Sequence, residues 1–269
     1  MKTTKVGIAG LGAIGRAIAV RLHRDEVHGA TLAAVSSGDK AKAETYLKSI
    51  GSNAPVVSLE ELARLSDLVI ECAPSAVFRD IAVPALSAGK QLMALSAGQI
   101  LPNPDLIELA KQHGGQIIVP TGALIGFDAV TAAAEGKIES VTMITRKPVK
   151  GLLGAPYLVK NAIDIAGITE PTRVFAGTAR EAAKGFPENV NVAAALSLAG
   201  IGADRTTIEI WADPALTRNT HRVVVEADSA RFEMSIQNVP SENPKTGRIT
   251  ALSAIAALRK IHAPLRVGT

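Results

Sequence analysis

Gly10, Gly12 and Gly15 are spaced to hold a pyrophosphate, and His221 is a residue that can move a proton. In Gly10-Leu11-Gly12-Ala13-Ile14-Gly15 the first glycine permits a tight turn and the second lets backbone approach phosphate oxygens. The third allows close helix–strand packing. A helix starting at Ala13 presents unpaired N–H groups and a positive dipole end to the anion. The spacing alone is weakly specific, because glycine turns without ligands are common. An apolar strand before it (Lys5–Ala9), an apolar-periodic helix after it and a second strand at Thr31–Val35 point to a dinucleotide site.

His221 sits in Thr217-Arg218-Asn219-Thr220-His221, which reads as a polar turn between two strands. Such a turn projects an imidazole with neighbours that fix its tautomer, or simply leaves it in water. His23, His28, His113 and His262 read as helix-end or tail residues. Thr145-Arg146-Lys147-Pro148 ends a strand with two cations suited to a substrate carboxylate, or to a solvated strand end. Phe186-Pro187-Glu188-Asn189-Val190-Asn191 brings two amides to a helix start, where ordinary capping is the simpler role. No His/Cys/Asp cluster has metal-ligand spacing, so no metal is expected.

Small residues follow three apolar strands: Ala73-Pro74-Ser75, Ser96-Ala97-Gly98 and Thr121-Gly122-Ala123. Ligands of doubly wound sheets bind at such carboxyl ends, where small side chains let a nicotinamide and its ribose lie against backbone. Tight strand–helix turns explain many small residues equally well. The second strand ends Val35-Ser36-Ser37-Gly38-Asp39. An NAD-specific site usually carries an acid at the Ser36 position, gripping the adenosine ribose. Serine hydroxyls with Lys40 or Arg16 nearby suit a 2′-phosphate, while Asp39 remains within reach of a ribose. The expectation is use of NAD or NADP, with NADP tolerated.

The elements that must position these groups fall into two sets. At 269 residues, with 47% hydrophobic and 20% charged, the chain is globular and has room for two modest domains. A net charge of +4, dispersed cations and scarce aromatics give no support for nucleic-acid binding. One cysteine excludes an internal disulfide, and no apolar stretch or leader pattern points to a membrane or to export, so a cytoplasmic setting is expected.

The first part alternates strands (Lys5–Ala9, Thr31–Val35, Asp67–Ala73, Gln91–Ser96, Gln116–Pro120) with helices (Ala13–Arg24, Asp39–Ile50, Leu59–Leu65, Ser75–Ala88, Asp105–Gln112). Later come helices near Asp128–Glu135, Pro156–Ile165 and Val190–Leu198, and strands at Ser140–Thr145, Thr206–Trp211, Arg222–Glu226 and Arg231–Gln237. The class is α/β: an N-terminal Rossmann-type doubly wound parallel sheet, then an α+β domain with a largely antiparallel sheet. The expected limits are a dinucleotide-binding domain over 1–122 and a substrate and oligomerisation domain over 123–244. A C-terminal helix within 245–269, reading Ile249–Lys260, packs back onto the first domain.

Over nearly its whole length the chain resembles the L-aspartate dehydrogenase family. The resemblance is carried by Val6–Gly15, Val119–Ala129, Thr145–Pro148, Gly177–Ala183, Phe186–Ala194, Ala212–Pro214, Arg218–His221 and Asn238–Thr246. Thr121 stands where serine is usual in the family, and Leu124–Phe127 replaces a more glycine-rich run. The resemblance implies reversible, NAD(P)-dependent conversion of L-aspartate to oxaloacetate and ammonium through iminosuccinate. It implies that His221 is catalytic and that Ala123 and Asn189 contact the nicotinamide cofactor. Joined with the residue reading, it extends the cofactor set to Gly10, Gly12, Ala13, Ile14, Gly15, Ser36, Ser37, Ala73 and Pro74. The substrate set is Thr121, Arg146, Lys147, Asn219 and Thr220. A dehydrogenase or imine reductase for another small amino or oxo acid, and a non-catalytic dinucleotide sensor, are the alternatives. A sugar-type oxidoreductase of similar two-domain plan would carry a Glu-Lys-Pro motif where this chain has Ser96-Ala97-Gly98. A homodimer is expected, because the second sheet's apolar face exceeds what its helices cover.

Overall fold

The computed structural model describes residues 3–187, 190–241 and 247–268. In chain order the elements begin with β1 (Thr4–Ala9), α1 (Ala13–His23), β2 (Ala30–Ser36), α2 (Lys40–Ser49), α3 (Leu59–Leu65) and β3 (Leu68–Glu71). A short 3-10 turn, Ser75–Val77, then leads into α4 (Phe78–Ser87), followed by β4 (Gln91–Ala94), α5 (Asp105–His113) and β5 (Gln116–Ile118). Local chemistry sets several of these ends. Asp39 accepts from the Lys42 N–H and Ser58 from the Glu61 N–H, capping α2 and α3, and Gly114 closes α5 in the left-handed region.

These five strands pair in parallel, in the order β2-β1-β3-β4-β5. An isolated parallel bridge from Val35 to Val56 adds the stub of a further strand outside β2. The strand order reverses between β1 and β3, so their carboxyl ends frame the switch-point crevice of a doubly wound sheet. Apolar strands covered on both faces account for the two cores here. One gathers Val6, Ile8, Ile18, Leu22, Ile70 and Met93; the other gathers Val69, Phe78, Ile81, Leu86, Leu92 and Leu106.

The second set comprises α6 (Phe127–Ala134), β6 (Ile138–Lys147), α7 (Pro156–Lys160), β7 (Thr172–Thr178), α8 (Ala179–Gly185), α9 (Asn191–Ala199), β8 (Thr206–Ala212), β9 (Thr220–Ala227) and β10 (Arg231–Gln237). The last helix, α10, spans Arg248–His262. The sheet order is β10-β9-β6-β8-β7, antiparallel except for the parallel β6–β8 pair. By compactness one unit runs to Pro120 and takes in Ala251–Arg266, while the other holds Thr121–Thr250. Within the first unit Ala254, Ile255 and Leu258 of α10 join the core around Val6 and Ile18, and His262 bonds Thr4 at 2.7 Å.

Several sequence expectations need correction. β7 and α8 are additional to the elements expected from sequence. Thr172-Arg173-Val174-Phe175-Ala176-Gly177-Thr178 is an edge strand with only two buried side chains, so its apolar signal is short. The helix expected over Pro156–Ile165 stops at Lys160. His221 and Thr220 are not in a turn: they open β9, which is hydrogen-bonded on both sides. His262 ends α10 instead of lying in a tail.

Candidate active site

Two places carry functional geometry, one in each unit. In the first, the backbone of Gly10 has φ +101°, and a Cβ there would stand 2.6 Å from the Cys72 carbonyl oxygen. A Cβ on Gly15 would collide with the Gly10 carbonyl oxygen. Both glycines are therefore demanded by close packing of loop, helix and neighbouring strand end. Gly12 differs: it precedes α1, no side chain caps it, and a Cβ added there meets nothing within 4 Å. Open space faces the uncapped start of α1, whose first turn, from Ala13 and Ile14, carries no acidic residue. That is a fit for a pyrophosphate.

Around this cradle Ala73 is half-buried and Pro74 exposed, both following β3. Ser36 and Ser37, at the end of β2, are half-buried and carry no acid between them. Asp39 is engaged as the α2 cap, its Oδ1 accepting from the Lys42 N–H at 3.0 Å. Arg16 lies with its guanidinium 4.6 Å from the Tyr46 ring centre and donates from Nε to the Leu11 carbonyl.

The second place is one end of the mixed sheet. Parallel pairing of β6 with β8 and antiparallel pairing with β9 bring the end of β6, the end of β8 and the start of β9 together. Thr145 lies opposite His221, Arg146 opposite Trp211, and Lys147 opposite Ala212. The Thr145 hydroxyl and the His221 Nδ1 are 3.2 Å apart, and both residues are buried. Lys147, two residues along the same strand, is also buried. Burial alone pulls its ammonium down to about pKa 8. Burial, reinforced by the Lys147 charge, pushes His221 down to about 3, so its imidazole is neutral across the physiological range.

Strand alternation separates the two cations that the sequence placed side by side. Arg146 is exposed on the opposite face, 5.4 Å from the Trp211 ring centre and 4.0 Å from the Asp213 carboxylate. Lys147 stays with His221. Asn238 joins this end of the sheet: it is buried, its amide donates to the Ala123 carbonyl at 2.8 Å, and its backbone N–H donates to Asn219 at 2.8 Å. Among the described residues its Oδ1 accepts nothing. Ala123, Asn219, Thr220 and His221 thus belong to one connected region, while Thr121 is exposed at the start of its turn. Asn189 lies outside the described residues.

Sequence reasoning missed Glu71 and gave no role to Asn238. Glu71 is an acid inside a strand whose other residues are all apolar and buried, and that mismatch was the available signal. Among the described residues no group of three or more His, Cys, Asp or Glu is placed to hold a metal ion. No described helix is long and apolar enough to cross a membrane.

Residues 128–261 match the family model described as aspartate dehydrogenase, C-terminal, and residues 10–120 match that of the homoserine dehydrogenase NAD binding domain. An L-aspartate dehydrogenase of Bradyrhizobium diazoefficiens is 58% identical over 98% of this chain and 94% of its own. L-aspartate dehydrogenase 3 of Bordetella bronchiseptica is 56% identical over 98% and 97%. The crystal structure of aspartate dehydrogenase from Thermotoga maritima superposes with a TM-score of 0.74 at 22% identity, covering 98% of this chain and 99% of that one. At that identity it speaks for the shared fold.

Proposed function

Because the chain belongs to the L-aspartate dehydrogenase family, we propose that it interconverts L-aspartate with oxaloacetate and ammonium through iminosuccinate. The observation that carries this reading is the buried, neutral His221, held by Thr145 and flanked by the buried Lys147. A bound pyridine nucleotide supplies the hydride acceptor or donor. In the oxidative direction an ammonium nitrogen cannot expel hydride from Cα, so its proton must leave first, and neutral His221 accepts it. Water then adds to the imine carbon, the same imidazole relays the proton to nitrogen, and ammonia departs. The overall balance is L-aspartate, NAD(P)⁺ and water giving oxaloacetate, ammonium, NAD(P)H and a proton.

Lys147 makes this chemistry depend on substrate. Burial first, and the Lys147 charge second, hold His221 at too low a pKa to be a good base. A dicarboxylate drawn to the Lys147 ammonium adds negative charge beside the imidazole and offsets the cation. The His221 pKa then rises toward the range where proton transfer is efficient. Asn219 and Thr220 border the same position and orient the second carboxylate, with Thr121 and Ala123 on the adjoining turn. Arg146, exposed on the other face and 4.0 Å from Asp213, lies away from His221 and Lys147 and is left out of this substrate set.

On the cofactor side the pyrophosphate is assigned to Gly10, Gly12, Ala13, Ile14 and Gly15, the adenosine ribose to Ser36 and Ser37, and the nicotinamide half to Ala73 and Pro74; Ala123 and Asn189 are cofactor contacts that the family resemblance implies. The acid-free end of β2, with Asp39 occupied as a cap, supports use of NADP as well as NAD. The half-buried Ile144, Val224 and Trp211 on the open sheet face support a homodimer, which light scattering would measure. The deciding experiment supplies oxaloacetate and ammonium with NADH or NADPH and follows cofactor oxidation. Turnover with both cofactors is expected. Oxidation only with a different oxo acid would overturn the substrate, and NADH-only turnover would overturn the dual cofactor.

A further inference from the structure

Glu71 is the last residue of β3, in register with Ala9 of β1 on one side and Ala94 of β4 on the other. It is fully buried in the middle of the parallel sheet, at the carboxyl end where the strand order reverses. A carboxylate there costs free energy unless donors surround it, and they do. The Ser96 N–H donates to Oε2 at 2.8 Å and the Ser96 hydroxyl bonds Oε1 at 3.0 Å. Burial is the largest influence and holds the Glu71 carboxyl above the usual carboxylate range, while the bonds from Ser96 and from the backbone amides of Leu95 and Ala73 pull it back toward the ionised form. One side chain thus binds the segment leaving β3 to the segment leaving β4. The first of these touches the glycine loop, since a Cβ on Gly10 would lie 2.8 Å from the Ala73 nitrogen.

We propose that Glu71 is a positioning residue for the dinucleotide: its carboxylate fixes the Cys72-Ala73-Pro74 and Leu95-Ser96 strand ends as one rigid wall against which the nicotinamide half lies. The inference rests on pyridine-nucleotide binding by this unit and not on the identity of the amino-acid substrate. Every partner of the carboxylate is a donor or, like the Ser96 hydroxyl, able to donate. A glutamine of the same shape therefore brings its own N–H₂ against donors and loosens the tie without emptying the core. Packing alone would be indifferent to that exchange.

The test is direct titration of NADH, by calorimetry, into the protein and its Glu71→Gln and Ser96→Ala variants, with no substrate present. The dissociation constant is expected to weaken about tenfold in Glu71→Gln and about threefold in Ser96→Ala, with a double variant less than additive. In turnover, the KM for NADH should rise while the KM for the oxo acid stays within twofold. Folded variants that bind NADH as the parent does overturn the proposal, as does a fall in kcat with the NADH constant unmoved. If Glu71→Gln does not fold, Ser96→Ala alone decides, because it removes one hydroxyl and leaves the carboxylate its backbone donors. Failure of the aspartate reaction leaves this titration intact, so the two readings fail separately.

Discussion

The end of the first sheet and the end of the second are built from opposite materials. At β1 and β3 the surfaces offered to a ligand are backbone amides and glycine, with the one acid, Glu71, turned inward and fully bonded. At β6, β8 and β9 the working groups are side chains, His221 and Lys147, buried where their charges are expensive. The first arrangement suits a pyrophosphate, whose charge stays the same through the reaction, because fixed dipoles need no titration. The second suits a substrate that must lose and regain a proton, because burial makes each pKa answer to the neighbouring charge. Shape governs one end and titration the other.

That contrast can be broken most sharply at His221. Replacing it with alanine should lower kcat about 10²–10⁴-fold, as for a lost general acid–base, while NADH binding is unchanged. Equal losses in both would erase the distinction. Next comes Lys147→Met, expected to weaken dicarboxylate binding about 10–100-fold, the worth of a hydrogen bond to a charged group. Its pH dependence carries a sign. Lys147 is charged below about pH 8, so the affinity for succinate, a non-reacting dicarboxylate, should be high below that pH and decline above it. The methionine variant should show a flat profile, measured as succinate inhibition against pH.

A smaller effect sharpens the first end. Gly12→Ala should fold normally, since its Cβ enters open space, yet weaken NADH binding roughly tenfold, equivalent to about 1.4 kcal/mol. Gly15→Ala should instead lose about 1–3 kcal/mol of stability in denaturant titration, because its Cβ meets the Gly10 carbonyl. Matching outcomes for the two would remove the case for a ligand-facing glycine. The mildest change is Ser36→Asp, which should raise the KM for NADPH a few-fold through repulsion of the 2′-phosphate and leave NADH nearly unaffected. A symmetric response would show that the end of β2 does not face the ribose.

The same contrast explains what could be read in advance. The glycine spacing is local, and the strand–turn–helix that uses it occupies adjacent residues, so the first five strands were legible from periodicity. His221 was legible as a residue type but misplaced in a turn. Its neighbours Asn219 and Thr220 are polar, and only pairing to β6 and β10 makes Thr220 and His221 strand, with Asn219 just outside it. Thr145-Arg146-Lys147 looked like a double cation, yet alternation along β6 sends its members to opposite faces, which matters only once the sheet exists. Glu71 stands out in sequence only as an acid within an apolar strand, and neither it nor Asn238 can be given a role before the fold brings up their partners, Ser96 and Ala123.

The helix α10 has a consequence for how this protein is made. Ala254, Ile255 and Leu258 finish a core whose other members, Val6, Ile8 and Ile18, leave the ribosome long before them. The intervening Thr121–Thr250 segment must be synthesised before that core can close, a wait on the order of ten seconds at about 5–20 residues per second. The nascent nucleotide-binding unit therefore spends its early life with an uncovered apolar seam. It is then that a chaperone has most to offer, and a premature stop before α10 does damage to residues made long before it.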